Sequence, residues 1–197
     1  MAEPLLEAVD LNVERGGRQL IQDFALRLSP GQLVQIRGSN GAGKTTLLRV
    51  LSGLSRFAYT GSLQRTQPLL FIGHQSAVKT LLTPRENLLF HVTGEDFGEE
   101  REIDQALAIV GLYGFEDVPV SQLSAGQQRR VNLARLFLTD RMLWLLDEPF
   151  TALDQAGVSL LEDRFGQHLS QGGAILMTSH QPLRTLRPHS EVDLSEL

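Results

Sequence analysis

Apolar and polar residues partly alternate through residues 5–13, a second extended stretch runs through 20–28, and the turn signal Gly16-Gly17 between them predicts an antiparallel strand pair. After Pro30-Gly31, the run Leu33-Val-Gln-Ile-Arg37 predicts a short strand that feeds a glycine-rich loop and a helical stretch over residues 45–54. The middle of the chain changes period. Thr83-Pro-Arg-Glu86 has the form of a capping box with proline at the first helical position, ahead of Leu88-Leu-Phe90, and residues 101–110 keep helical spacing up to Gly111. Ser124-Ala-Gly-Gln127 repeats the box and opens a helix that carries Val131, Leu133, Ala134, Phe137 and Leu138 toward a core. The middle third therefore reads as a helical lobe.

Residues 142–146 and 174–178 are apolar runs too short for helices and suited to strands buried on both faces, as a parallel sheet requires. The amphipathic stretch 155–169 between them stops near Gly172-Gly173 and completes a strand-helix-strand unit with a right-handed crossover. The core is thus expected to be a parallel α/β sheet. There is no internal repeat or low-complexity tract, and residues from Arg187 onward carry little pattern.

Composition bounds what such a chain does. Its 197 residues, 42% of them hydrophobic, suit one domain with room for an inserted lobe. A net charge of -5 leaves no basic surplus for a polyanion, so no nucleic-acid partner is expected. The absence of cysteine excludes disulfides, thiolate metal sites, iron-sulfur clusters and haem attached through a Cys-x-x-Cys-His motif. No basic leader opens the chain and no apolar stretch has the length of a spanning helix, so a soluble or peripheral protein is expected.

The loop after the third strand carries the chemistry. Gly38, Ser39, Asn40, Gly41, Ala42, Gly43, Lys44 and Thr45, followed by Thr46, match the P-loop, whose glycines let backbone N–H groups converge on phosphate oxygens at a positive helix end. Lys44 is placed to reach the β- and γ-phosphates, and the Thr45 hydroxyl to ligate Mg²⁺ beside a carboxylate. Asp147 and Glu148 stand at the C-terminal end of the strand 142–146, where open parallel sheets hold their ligand crevice. Asp147 is assigned to Mg²⁺, directly or through water, and Glu148 to orienting and polarising the attacking water. These features alone leave kinases, GTPases and recombinases open.

Leu123-Ser-Ala-Gly-Gln-Gln128 resembles the signature of ABC-type ATPases, whose common form is Leu-Ser-Gly-Gly-Gln. The resemblance implies an α/β P-loop NTPase fold with a RecA-like core, an antiparallel β subdomain and an inserted α-helical subdomain. One ABC ATPase domain would span residues 1–197, with its core at about 1–80 and 136–197 and its helical lobe at about 81–135. It also implies a head-to-tail dimer, in which ATP lies between the P-loop of one copy and Ser124, Ala125, Gly126 and Gln127 of the other. As a helix N-cap, Ser124 would offer its hydroxyl and the next N–H groups to that γ-phosphate. By the same resemblance Gln75 joins the Mg²⁺ ligands, Ala152-Leu-Asp154 is the D-loop, and His180 contacts the γ-phosphate and holds Glu148 and water in place. Family members commonly stack adenine on an aromatic residue near the first turn; here Arg15-Gly-Gly17 stands there, and Arg15 is either a guanidinium platform for the base or a solvated turn residue.

The wording Phe71-Ile-Gly-His-Gln75, Gln122-Leu-Ser-Ala-Gly-Gln-Gln-Arg-Arg130, Asp147-Glu-Pro-Phe-Thr-Ala-Leu-Asp154 and Thr178-Ser-His-Gln-Pro-Leu183 resembles the ATP-binding subunits of cytochrome c maturation systems, with residues 59–70 shorter than usual there. That resemblance implies a peripheral subunit on the cytoplasmic face of a bacterial inner membrane, with integral membrane transporter subunits as partners and ATP driving haem export or release of a haem-loaded chaperone. The five histidines lie apart in sequence, so no direct haem binding is expected. The alternatives are the same motor serving another cargo, a soluble ABC protein of ribosomes or DNA, and an inert nucleotide-dependent dimeriser. The second usually needs two ATPase domains or a long coiled coil; the third sits poorly with Glu148 and His180. A surface that reads out the motor is expected around residues 75–85.

Overall fold

The computed structural model describes residues 3–55, 58–75, 77–92 and 100–196. Along the chain the elements are β1 (Leu6–Arg15), β2 (Arg18–Leu28), β3 (Leu33–Arg37), α1 (Lys44–Ser52), β4 (Tyr59–Arg65) and β5 (Leu69–Ile72). There follow α2 (Pro84–Val92), α3 (Glu100–Ile109), α4 (Ala125–Ala134), β6 (Leu143–Asp147), α5 (Gln155–Ser170), β7 (Ala174–Thr178) and β8 (Ser190–Asp193).

Two compact units divide these elements. The first comprises Met1–His74, Arg141–Pro149 and Phe165–Leu197; the second comprises Gln75–Asp140 and Phe150–Arg164. In the first unit β1 and β2 form an antiparallel hairpin, turned by Gly16 and Gly17 at φ 61° and 75°, and β4 pairs with the other edge of β1. A second sheet is parallel throughout, in the order β5-β6-β7-β3-β8. All five residues of β6 and of β7 are buried, which is why neither shows alternation in sequence. Leu143 and Leu145 of β6 and Leu176 of β7 point to the face where Leu47, Leu48 and Leu51 of α1 pack, in one cluster with Phe24 and Leu28 of the hairpin. Period two sends Trp144 to the opposite face, where it stacks on His168 with ring centroids 3.6 Å apart and meets Phe165 edge-on.

The second unit is helical. Leu88, Ile103, Leu107, Val120, Val131 and Ala134 form its core, with Phe137 and Leu138 packed partly buried against it. Both capping boxes exist. The Glu86 N–H donates to Thr83 Oγ1 at 3.2 Å while the Thr83 N–H donates to the Glu86 carboxylate at 2.8 Å. The Gln127 N–H donates to Ser124 Oγ at 3.2 Å and the Ser124 N–H to Gln127 Oε1 at 2.9 Å. Arg85 links α2 to Asp117 at 3.1 Å and to Asp104 of α3 at 2.6 Å, and those carboxylates hold its guanidinium above the ordinary arginine range.

Several features differ from the sequence pattern. Phe137 lies in a short 3-10 turn, Arg135–Phe137, after α4 has ended at Ala134. Two strands, β4 and β5, occupy residues to which the pattern assigns nothing, because β4 is almost wholly exposed and β5 is only four residues long. The tail from Arg187 contributes β8, an edge strand paired in parallel with β3.

Candidate functional site

Four strands of the first unit end at one edge of the parallel sheet. Pairing Ile36 with Thr178, Thr178 with Asp147, and Leu146 with Ile72 aligns the C-terminal ends of β3, β7, β6 and β5 in a single row. The glycine loop after β3, Glu148 after β6 and His180 after β7 all leave from that row.

The loop from β3 to α1 turns through Gly38, Gly41 and Gly43 at φ 138°, 88° and 98°, conformations that side chains disfavour. Space adds to the constraint at Gly43, where a Cβ would stand 3.1 Å from Ile21 Cδ1, so the hairpin presses on the loop. At Gly38 a Cβ would meet Ala42 at 3.2 Å and Leu194 at 3.5 Å, so the tail following β8 closes over the first glycine. Asp193, the last residue of β8, is held below the usual carboxylate range by the backbone N–H of Ser195, then by the Ser195 side chain, with smaller help from Arg37 and Lys44. Lys44 Nζ donates to the carbonyls of Gly38 at 2.7 Å and Ser39 at 3.1 Å. Helix α1 has neither a side-chain N-cap bond nor an acidic residue in its first turn, so its leading N–H groups and positive end are left to an anion.

Behind the loop, one hydrogen-bonded chain joins three elements. Thr45 Oγ1 donates to Asp147 Oδ2 at 2.8 Å, Thr178 Oγ1 donates to Asp147 Oδ1 at 2.8 Å, and the Glu148 N–H donates to Thr178 Oγ1 at 2.9 Å. Asp147 is buried and Glu148 is held at φ 49°, a left-handed conformation costing about 1–3 kcal/mol that the surrounding bonds sustain. The Glu148 carboxylate accepts the His180 N–H at 3.2 Å on one oxygen, and His180 Nε2 lies 3.4 Å from the other.

Lys44, Thr45, Asp147, Glu148 and His180 line a cleft of about 560 Å³, inside the size range of small-molecule sites. The structure brings Arg15, Ser39, Asn40, Gly41, Gly43, Lys44, Thr45, Thr46, Asp147, Glu148 and His180 to it, all named from sequence. Gly38 and Ala42 belong to the loop without lining the cleft, and Ala42 instead packs against the core. Gln75 is exposed and, with Ser124, Ala125, Gly126 and Gln127, belongs to the second unit. There a Cβ on Gly126 would lie 3.1 Å from the Ala152 carbonyl oxygen, so this glycine allows backbone to approach backbone, whereas exposed Ala125 carries its methyl freely.

Three participants escape the sequence reading. Leu20 and His74 line the cleft, and Thr178 couples the two acids. The positions of Leu20 and His74 follow from strand ends whose location only the fold supplies; for Thr178 the signal was present, a polar residue closing an apolar strand level with Asp147.

The donor set suits Mg²⁺ held with a nucleotide. Among the described residues no group of three His, Cys, Asp or Glu could hold a metal by itself, whereas Thr45 and Asp147 offer hard oxygens to a cation that takes its remaining ligands from phosphates and water.

The model of the ABC transporter family matches residues 21–151. The cytochrome c biogenesis ATP-binding export protein CcmA of Escherichia coli K12 is 52% identical over 190 residues, covering 91% of this chain and 90% of that protein. Its namesake from Yersinia pestis is 50% identical over 191 residues, covering 91% and 87%. A solved ATP-binding subunit of an ABC transporter superposes with a TM-score of 0.81 at 24% identity, over 89% of this chain and 79% of that one, and shows the same fold. The chain belongs to the ABC transporter family of ATP-binding proteins, within the branch of the CcmA proteins of cytochrome c biogenesis.

Proposed function

We propose that this chain is the ATP-hydrolysing subunit of an ABC complex for cytochrome c biogenesis, working as a head-to-tail pair on integral membrane subunits. The observation that carries the reading is the bonded series Thr45, Asp147, Thr178, Glu148 and His180 at the mouth of a glycine loop. It joins a metal-side hydroxyl to a candidate base through one buried carboxylate.

The loop N–H groups and Lys44 would grip the triphosphate, Arg15 would lie against the base, and Thr45 and Asp147 would hold Mg²⁺, which when bound supplies positive charge against the phosphates. Glu148 orients a water in line with the γ-phosphorus and takes its proton as the new P–O bond forms and the bond to the bridging oxygen breaks, releasing ADP and inorganic phosphate. His180 fixes the carboxylate and contacts the γ-phosphate. Ser124, Ala125, Gly126 and Gln127 of a second copy complete the site.

Among the described residues no helix is long and apolar enough to cross a membrane, which suits a subunit that reaches the inner membrane's cytoplasmic face through its partners. The second unit offers them apolar side chains: Leu81 is 88% exposed and Tyr113 82%. Leu81 falls in the stretch 75–85, of which Ser76 lies outside the described residues. His180 is assigned to the γ-phosphate, and no histidine of this chain is assigned to haem.

The test is to purify the complex with its native membrane subunits, comparing wild type with Lys44→Ala. Accumulation of a haem-loaded chaperone and loss of cytochrome c assembly in the variant are expected. Normal cytochrome c assembly alongside abolished ATP turnover would assign the motor to another cargo.

A further inference from the structure

Two histidines, His74 and His180, line the cleft, and a role has been given only to His180. Strand β6 lies between β5 and β7 in the sheet. Beyond the paired residues Asp147 and Thr178, the chain leaving β7 brings His180 to within 3.4 Å of Glu148. On the other side β5 ends where Ile72 pairs with Leu146, and His74 follows two residues later. His74 lines the same cleft as Lys44, Thr45 and Glu148 and is exposed to it.

Its place along the cleft matters. The acids, Thr45 and His180 mark the end where the terminal phosphate and metal belong, while Arg15 and Leu20 come from the hairpin. His74 follows β5, the strand beside β6, by two residues. Being exposed, its ring fills no core space. Its chain position is also distinctive, since it is the last residue of the first unit's opening segment and Gln75 begins the second unit.

We infer that His74 is a second γ-phosphate residue, donating a ring N–H to a terminal phosphate oxygen and so distinguishing ATP from ADP. This rests on the proposed nucleotide site and deepens it: triphosphate recognition is supplied from both neighbours of β6, by His180 from β7 and by His74 from β5.

The test is equilibrium binding of ATP and ADP, with Mg²⁺, to the full chain carrying Glu148→Gln to prevent turnover, alone and combined with His74→Ala or His74→Gln. One lost hydrogen bond to a charged group predicts that His74→Ala weakens ATP by roughly 10- to 100-fold. ADP affinity should stay within about two-fold, and His74→Gln, which keeps an N–H donor, should recover most of the ATP affinity. Equal losses for both nucleotides, no loss for either, or a glutamine variant no better than alanine would each overturn the inference. Failure of the Glu148→Gln parent to bind ATP would instead strike the nucleotide site itself, and the inference with it.

Discussion

Replacing Glu148 with glutamine separates the two things its carboxylate does. The substitution keeps the shape and one acceptor oxygen, so the 3.2 Å bond from the His180 N–H survives, and the amide NH₂ can face His180 Nε2 where an oxygen now lies at 3.4 Å. The left-handed backbone at φ 49° is anchored by the Thr178 hydroxyl, which the change does not touch. Positioning is therefore retained and basicity is lost. Removing a general base slows turnover by roughly 10²–10⁴-fold, equivalent to about 2.7–5.4 kcal/mol of barrier. Lys44, the loop glycines and the Thr45–Asp147 pair remain, so ATP affinity should change by less than about five-fold, far below the effect on rate. The assay combines single-turnover ATP hydrolysis, equilibrium ATP binding and the mass of the protein in solution with and without ATP. Hydrolysis should collapse while ATP holds a closed dimer. Turnover within a few-fold of wild type would remove Glu148 as the base, and equal losses of binding and turnover would mean that the carboxylate acts in holding nucleotide.

Thr178→Val deletes the hydroxyl that donates to Asp147 and accepts from the Glu148 N–H, leaving buried polar groups short of a partner; stability should fall by about 1–3 kcal/mol in denaturant melts, and kcat should drop more than ATP affinity. Arg15→Ala should weaken ATP and ADP alike by several-fold, and Arg15→Tyr should restore both, as measured by nucleotide titration; an unchanged alanine variant would leave Arg15 a solvated turn residue. Leu81→Asp places a charge on a side chain that is already 88% exposed, so folding and the subunit's own ATPase activity should be unchanged while co-purification with the membrane subunits falls.

The parts of the fold and site legible in sequence are those where one local interaction decides the structure. A capping box satisfies helix-end N–H groups within four residues, so Thr83–Glu86 and Ser124–Gln127 announce α2 and α4 wherever they lie in the fold. Gly41 needs no neighbour to explain it, because its φ of 88° is reason enough. Illegible features depend on residues distant in sequence: β8 is a strand only because β3 offers it an edge, and His74 reaches the cleft only because β5 lies beside β6. Trp144 and His168 are similar, since their stack unites residues that sequence inspection treats as an apolar strand and a helix end. Gly173 then becomes intelligible, because a Cβ there would collide with the His168 ring. The same distinction applies to Gly126. Its spacing from Ser124 marks a signature, but its constraint is the carbonyl of Ala152, more than twenty positions away, so the signature helix and the loop after the acid pair are fitted backbone to backbone. A larger residue at position 126 must therefore push the Ala152 carbonyl back by a few tenths of an ångström even if it never touches a nucleotide.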